Sequence, residues 1–424
     1  MSNALLAGTL WIIMVLAGYL VVPPLLLKYQ IKVRRAWVVV VLVACLARLI
    51  PNFILPMGAS YDIDSYQIVG RLVLHREDVY SSPDAEKRHP YLPAQMYWMA
   101  FAEQASSALG ISFVKVVRLA PILADVAIAL LLYWLLLSSS PPAVAMAGGL
   151  TYALNPVTIY VSAYHGQFDA LPALFILLSL MMLDRYPLAA GGWLGMGILE
   201  KGWAVLALPS LLAGVSSWRK KALLLLASVG IPLLATAAYV AVFHANIRAV
   251  VMRALGYNWG VGIWGYTYFF RLLSILNEAA APLFYSLSTY GRYLTLAALG
   301  LVWLFKARKE SPAAGVLTVL VAFFALTHAF SIQYLIWLVP FAVLQKDFTW
   351  LRRYTLAAFL YMFIAYTTLI LEFHIASILP WPQADWFLIM PAGLPAWIVT
   401  AGWAVHRLTA TPKPETKKGK VYVR

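Results

Sequence analysis

This 424-residue chain is poor in charge and in cysteine. Asp, Glu, Lys and Arg make up only 12% of it, and its one cysteine, Cys45, lies in an apolar run. A soluble domain carries about twice that share of charge. One thiol cannot close an internal disulfide, so a disulfide scaffold is excluded and the redox compartment stays unread. So little charge beside 62% hydrophobic residues also excludes a water-soluble globular enzyme and a disordered chain. Acid is the scarcest charge: 17 Asp and Glu stand against 32 Lys and Arg, a formal +15. What fills the chain instead is long apolar runs, with a mean hydropathy of +0.79. That is the composition of a polytopic membrane protein.

A membrane-crossing helix needs about 20 apolar residues, fewer where it is short or re-entrant. Hydropathy places segments near 5–27, 36–56, 119–138, 143–163, 169–183, 187–199, 203–214, 222–243, 283–305, 312–330, 332–345, 354–373 and 387–406. Several are short, so the expectation is an all-α bundle of about 11–13 transmembrane helices. The first lacks a basic leader and is too long for a signal peptide. Residues 1–406 read as one transmembrane domain and 407–424 as a basic tail. No internal repeat is visible.

Basic clusters orient such a bundle. They lie at 28–35, 219–221, 306–309, 346–353 and 407–424, and thirteen crossings put all of them inside, with the N-terminus out. The inner loops and tail then hold 20 basic and 4 acidic residues; the outer half holds 12 and 13. The excess positive charge is thus a mark of orientation and not of nucleic-acid binding, and the tail is expected against lipid headgroups. Of the 17 acids, 7 fall in the first outer loop, 57–118, and a second outer loop spans 244–282. The stretch 91–110 is apolar but carries Glu103 and Gln104, and reads as an interfacial or re-entrant helix.

Five polar constellations collect on that outer side. Tyr61-Asp62-Ile63-Asp64-Ser65-Tyr66 offers two carboxylates that converge in extended chain, suited to taking a proton or holding a divalent cation. The competing role is capping: Asp64 suits the N-cap of an amphipathic helix with Tyr66, Val69 and Val73 on one stripe. Asp64 can cap while Asp62 faces a cavity. Tyr164-His165-Gly166-Gln167-Phe168-Asp169 gathers an imidazole, an amide and a carboxylate, with His165 and Asp169 at metal-compatible spacing and Asp169 also a candidate helix cap. Glu200-Lys201 interrupts two half-spans, where a lysine can neutralise a phosphate, pair internally or snorkel. The aromatic run from Tyr257 through Trp264-Gly265 to Arg271 reads first as an interfacial belt and second as a sugar-stacking platform. His328 with Phe330-Ser331-Ile332-Gln333-Tyr334 marks a further break, where a buried histidine is structural or binds phosphate.

In their order and common side these motifs resemble the GT-C superfamily of membrane glycosyltransferases. The likeness is to polyprenyl-phosphate-sugar-dependent enzymes and to the mannosyltransferases of GPI-anchor assembly. It rests on Tyr61-x-Asp-x-Asp-x-Tyr66, Arg88-His89-Pro90-Tyr91-Leu92-Pro93, His165-Gly-Gln-Phe-Asp-Ala-Leu-Pro172, Glu200-Lys201, Trp264-Gly265 and Phe330 to Trp337, across residues 36–345. The resemblance implies a GT-C-like bundle whose first outer loop carries membrane-parallel helices. It implies a dolichyl- or polyprenyl-phosphate-sugar donor, with mannose favoured, and a base from the first outer loop. That role carries to Asp62, with Asp64 as helper. Donor phosphate and sugar contacts carry to Lys201, His165, Gln167, Asp169 and His328, with Gln333, Tyr334 and Arg271 completing the set. No cofactor is required; magnesium or manganese is compatible with Asp62 and Asp64. The chain lacks the large outer domain of oligosaccharyltransferases, so a lipid-linked or small glycan acceptor is expected at the extracytoplasmic face of a prokaryotic plasma membrane. A flippase or transporter is the alternative, and a non-catalytic scaffold a third; the first would be expected to show repeated halves and midplane charges.

Overall fold

The computed structural model describes residues 3–55, 58–256, 260–369 and 389–410, with no side-chain description at 367–369. The chain is an all-α polytopic membrane protein. Among the described residues there is no strand, only an isolated bridge between Val261 and Ala329. The chain divides into two compact units, one reaching residue 257 and the other beginning at 258.

The first unit opens with α1 (Asn3–Tyr29) and α2 (Ala36–Ile54), both long, apolar and able to cross a bilayer. Three more segments meet the same requirement: Phe113–Leu137, Pro142–His165 and Trp218–Phe243. These five coincide with hydropathy segments read from the sequence. The remaining segments fall on shorter helices or on helices of lower hydropathy, and 354–373 and 387–406 each reach partly outside the described residues. Between α2 and the next long helix lie α3 (Ser60–Leu74) and α4 (Gln95–Leu109), followed by α5 (Phe113–Val117) and α6 (Leu119–Leu137). The stretch 91–110 is therefore helical, as expected.

Helix α3 is amphipathic as its sequence dictates. Tyr66, Val69 and Val73 are buried against Met96, Met99, Phe113 and Val116 of α4 and α5. Gly70 lets the two helices touch: a Cβ there would stand 2.6 Å from the Met99 carbonyl oxygen. Across the same seam Arg71 pairs with Glu103 at 2.7 Å, and Gln67 donates to the other Glu103 oxygen at 2.9 Å. The helix begins one turn earlier than the capping argument places it. Ala59 stands at the N-cap without a side-chain bond, and Asp64 is an exposed residue inside the helix. Tertiary contact replaces the cap: the Ala59 N–H donates to the His165 carbonyl at 3.4 Å, and packing of the apolar face supplies the rest.

Helix α7 (Pro142–Ala153) starts with proline at its first turn, where no N–H is needed. A short helical turn from Pro156 leads into a π-helical turn, Tyr160–His165. A fully buried ionic knot holds this segment. Arg48 of α2 pairs with Asp125 of α6 at 2.7 Å and donates to Thr158 and to the Ala153 carbonyl, while Tyr152 donates to Asp125. Next come α8 (Ala170–Met182), α9 (Pro187–Glu200), a 3₁₀ turn over Gly202–Ala207, and α10 (Leu208–Gly214). The unit closes with α11 (Trp218–Phe243) and α12 (Ile247–Gly256). Tyr239 of α11 ties the 75–94 segment down by bonding Asp78 and the Val79 N–H.

The second unit contains α13 (Gly265–Leu276), α14 (Ala281–Phe305), α15 (Pro312–Leu326), α16 (Leu338–Leu344), α17 (Phe348–Leu369) and α18 (Leu394–Thr409). Its core corrects the reading of Trp264 as belt or platform. Trp264 is buried, stacks on Phe330 with ring centroids 3.9 Å apart, and donates to the Phe324 carbonyl. An indole whose ring face and N–H are both used inside the unit offers neither to a sugar nor to lipid. Tyr257, Asn258 and Trp259 lie outside the described residues.

Candidate functional site

Three breaks in helical structure bring the first unit's polar residues together. The first is the start of α3, which puts Asp62 in an opening turn where a carboxylate suits the helix dipole. The second is the π-helical turn ending at His165, a wide turn of the kind often found at functional sites. Gly166 follows it at φ +93°, and a Cβ there would meet Ile63 and Arg118 at 3.1 and 3.2 Å. Only glycine fits both the left-handed backbone and that space. The third is the end of α9, where Lys201 adopts an extended conformation and leaves the helix axis.

These breaks build one continuous chain of bonds. His165 Nε2 lies 2.6 Å from Asp62 Oδ2, and Gln167 Nε2 donates to the same oxygen at 2.7 Å. Lys201 Nζ donates to Gln167 Oε1 at 2.9 Å and pairs with Asp169 Oδ2 at 2.5 Å. The order is Asp169, Lys201, Gln167, Asp62, His165. Because an ammonium can only donate, Lys201 fixes the amide oxygen of Gln167 toward itself and its NH₂ toward Asp62. A carboxylate oxygen can only accept, so His165 carries its proton on Nε2.

Burial grades along this chain. Asp169 and Lys201 side chains are 0% and 4% exposed and His165 is 6%, whereas Asp62 keeps 30%. Asp62 is thus the one carboxylate of the chain that reaches the surface. Burial alone would raise its pKa; the His165 hydrogen bond and charge, the Gln167 bond and the Lys201 charge together outweigh it and hold the carboxyl below its ordinary 3.8. Both bonds fall on Oδ2. Among the described residues no bond is made to Oδ1, which leaves that oxygen for an incoming hydroxyl.

The surrounding shell locks the geometry. Arg118 is fully buried and donates to the Tyr164 carbonyl at 2.5 Å, pinning the turn before His165. Tyr66 meets Phe168 edge-on at 5.2 Å, joining α3 to the 165–169 loop. Gln95 donates to the Glu200 carbonyl at 2.9 Å, and the Lys201 ammonium sits 5.0 Å from the Tyr91 ring. Neither Arg118 nor Gln95 carries a motif signal; each is found only through its contact.

The expectations drawn from the sequence divide accordingly. Asp62, His165, Gln167, Asp169 and Lys201 meet. Asp64 does not join them, because residues two apart in a helix project about 200° apart and the convergence argued for extended chain is lost. Asp62 and Asp64 therefore do not converge on one point in this conformation. Asp169 occupies an N-cap position but its side chain turns to Lys201 and makes no cap bond. Lys201 is already neutralised by Asp169, so its geometry is that of a positioning residue and not of an open phosphate site. The second unit's candidates pack within that unit. His328 is buried against Gly291, Gln333 is buried, Tyr334 stacks on Trp337 at 4.2 Å, and Arg271 lies 5.0 Å from the Phe284 ring.

Neither a protein-family model nor a curated protein matches the chain.

Proposed function

We propose that this protein is a membrane glycosyltransferase that moves a sugar, mannose favoured, from a polyprenyl-phosphate carrier to an acceptor hydroxyl. The observation that carries the reading is the Asp62 carboxylate, clamped through Oδ2 by His165 and Gln167 with Oδ1 left to accept a proton. A base must be ionised and aimed before it acts, and this carboxylate is both. In the proposed step Asp62 Oδ1 takes the acceptor O–H proton as the acceptor oxygen attacks the anomeric carbon. The bond from that carbon to the phosphate oxygen breaks, and the carrier phosphate leaves with the electron pair. Direct displacement inverts the anomeric centre.

The membrane setting supports the same reading. A carrier lipid needs an apolar route to the reacting group, and irregular backbone at membrane depth is tolerated only where protein or a cavity satisfies it. At the π turn the Tyr164 and His165 carbonyls accept from Arg118 and from the Ala59 N–H, and at the second break the Lys201 ammonium is met by Gln167 and Asp169. The proposed placement is a prokaryotic plasma membrane, with this chemistry on the extracytoplasmic side.

The experiment is an in vitro assay of the purified full-length protein with a panel of radiolabelled polyprenyl-phosphate sugars, read by which donor is consumed. Consumption of one donor that disappears in Asp62→Asn supports the proposal. Wild-type turnover by a folded Asp62→Asn protein overturns the role of Asp62.

A further inference from the structure

Residues of α3 and of the segment that follows it line an open groove of about 650 Å³, a volume within the range of small-molecule sites. Its polar lining is Arg71, His75, Glu77, Asp84, Glu86 and Arg88. Ile68 and Leu72 of α3 supply an apolar floor.

The groove is joined to Asp62 by Arg88. That guanidinium lines the groove and also donates to Ser65 Oγ at 3.1 Å, with its face 5.1 Å from the Tyr61 ring. Ser65 follows Asp62 by three residues and neighbours it on α3, while Ile68, six residues on, lies about 120° round the helix from Asp62. From Asp62 to Ile68 the helix rises about 9 Å. A ligand that reaches from the base into the groove is therefore longer than one sugar ring.

Charge selects its chemistry. Arg71 is already paired with Glu103 at 2.7 Å, which leaves Arg88 and His75 facing Glu77, Asp84 and Glu86. An anionic ligand meets three carboxylates there, and a polycation meets Arg88 beside the paired Arg71. A neutral polyol suits the lining: each hydroxyl donates to a carboxylate and accepts from a guanidinium or imidazole, and the C–H faces of its rings rest on Ile68 and Leu72. The geometry points to this groove as the subsite for a neutral glycan acceptor of at least two sugar units, whose terminal hydroxyl reaches Asp62. This inference rests on the transferase reading and narrows it from any small acceptor to an oligosaccharide chain.

The test uses purified full-length protein in detergent and neutral α-linked mannose and glucose oligosaccharides of one to four units. Binding is read by ligand-detected NMR and transfer by the donor assay. Chains of two or more units are expected to bind at least fivefold more tightly than the monosaccharide. Glu77→Ala, Asp84→Ala and Glu86→Ala lie at exposed positions, so folding is not at stake. Combined, they are expected to abolish that length dependence and to raise the acceptor KM at least fivefold without a matching rise in donor KM. If binding shows no dependence on chain length, or the triple variant binds like wild type, the groove is not the acceptor subsite. If no donor is consumed but length-dependent binding survives and falls in the triple variant, the groove stands and the transferase reading falls. If Asp62→Asn abolishes transfer while the triple variant keeps the wild-type acceptor KM, the transferase stands and the groove falls.

Discussion

Lys201 donates to Gln167 Oε1 at 2.9 Å, and that bond decides which end of the amide faces Asp62. A flipped amide would aim its oxygen at the carboxylate and repel it. The same lysine is held by Asp169, so a buried ion pair is bonded to one neutral side chain. Truncating Lys201 alone breaks a buried ion pair from one side, which costs about 3–5 kcal/mol. Lys201→Met is thus expected to lower the melting temperature sharply. Lys201→Met with Asp169→Leu removes both charges and is expected to recover much of the stability while activity stays low, because Gln167 is no longer oriented. Thermal unfolding in detergent beside the donor assay separates these effects; recovery of activity in the double variant would sink the orienting role.

Gln167→Leu probes the other end of that bond. A hydrogen bond to a charged group is worth about 1.5–3 kcal/mol. Its loss is expected to reduce kcat on the order of tenfold to a hundredfold, with donor KM little changed. An unchanged kcat in a folded variant would show that Gln167 serves packing alone.

The parts of this site legible in the sequence were residue types, and the parts hidden were partners. Asp62, His165, Gln167, Asp169 and Lys201 all announce themselves as polar groups at interruptions of apolar runs. That Lys201 pairs with Asp169 and not with Glu200 follows in part from helix geometry, since adjacent residues face apart. That His165 and Gln167 converge on Asp62, more than a hundred positions away, follows only from the fold. The capping role given to Asp64 failed because a backbone bond to the His165 carbonyl lets α3 begin a turn earlier. Trp264 read as surface because its neighbours Phe324 and Phe330 are distant in sequence and close in the core. The five long apolar helices were legible, since apolar runs this long have few other solutions, whereas the helices Ile247–Gly256 and Gly265–Leu276 lie inside the segment that reads as a second outer loop.

The pH dependence of Asp62 carries a sign that can be checked. Its folded carboxyl is lowered below 3.8, so the stability it contributes is present above the unfolded value near 4 and is lost as the pH falls through the folded one. The acid limb of kcat/KM, which reports the free enzyme, should therefore lie below the ordinary carboxylate range. His165→Phe removes the bond and the charge that lower the carboxyl and leaves the burial that raises it. The limb is then expected to move to higher pH in a pH–rate profile. A limb that stays in place would mean that another group governs it.

Asp62 and Asp64 give the most direct contrast, because they share a motif, a helix and a charge. Asp62 faces His165 and Gln167, while Asp64 is exposed. Asp62→Asn keeps the shape but cannot accept a proton, and loss of a general base costs about 10²–10⁴ in rate. Asp64→Asn alters only a solvated surface charge and is expected to keep kcat within about twofold, since surface changes of this kind are usually within about 0.5 kcal/mol. Steady-state kinetics of the two variants under identical conditions decides the matter. Equal losses would mean that the carboxylates act as a pair, and that α3 opens at its first turn when substrate binds so that Asp64 can turn toward Asp62.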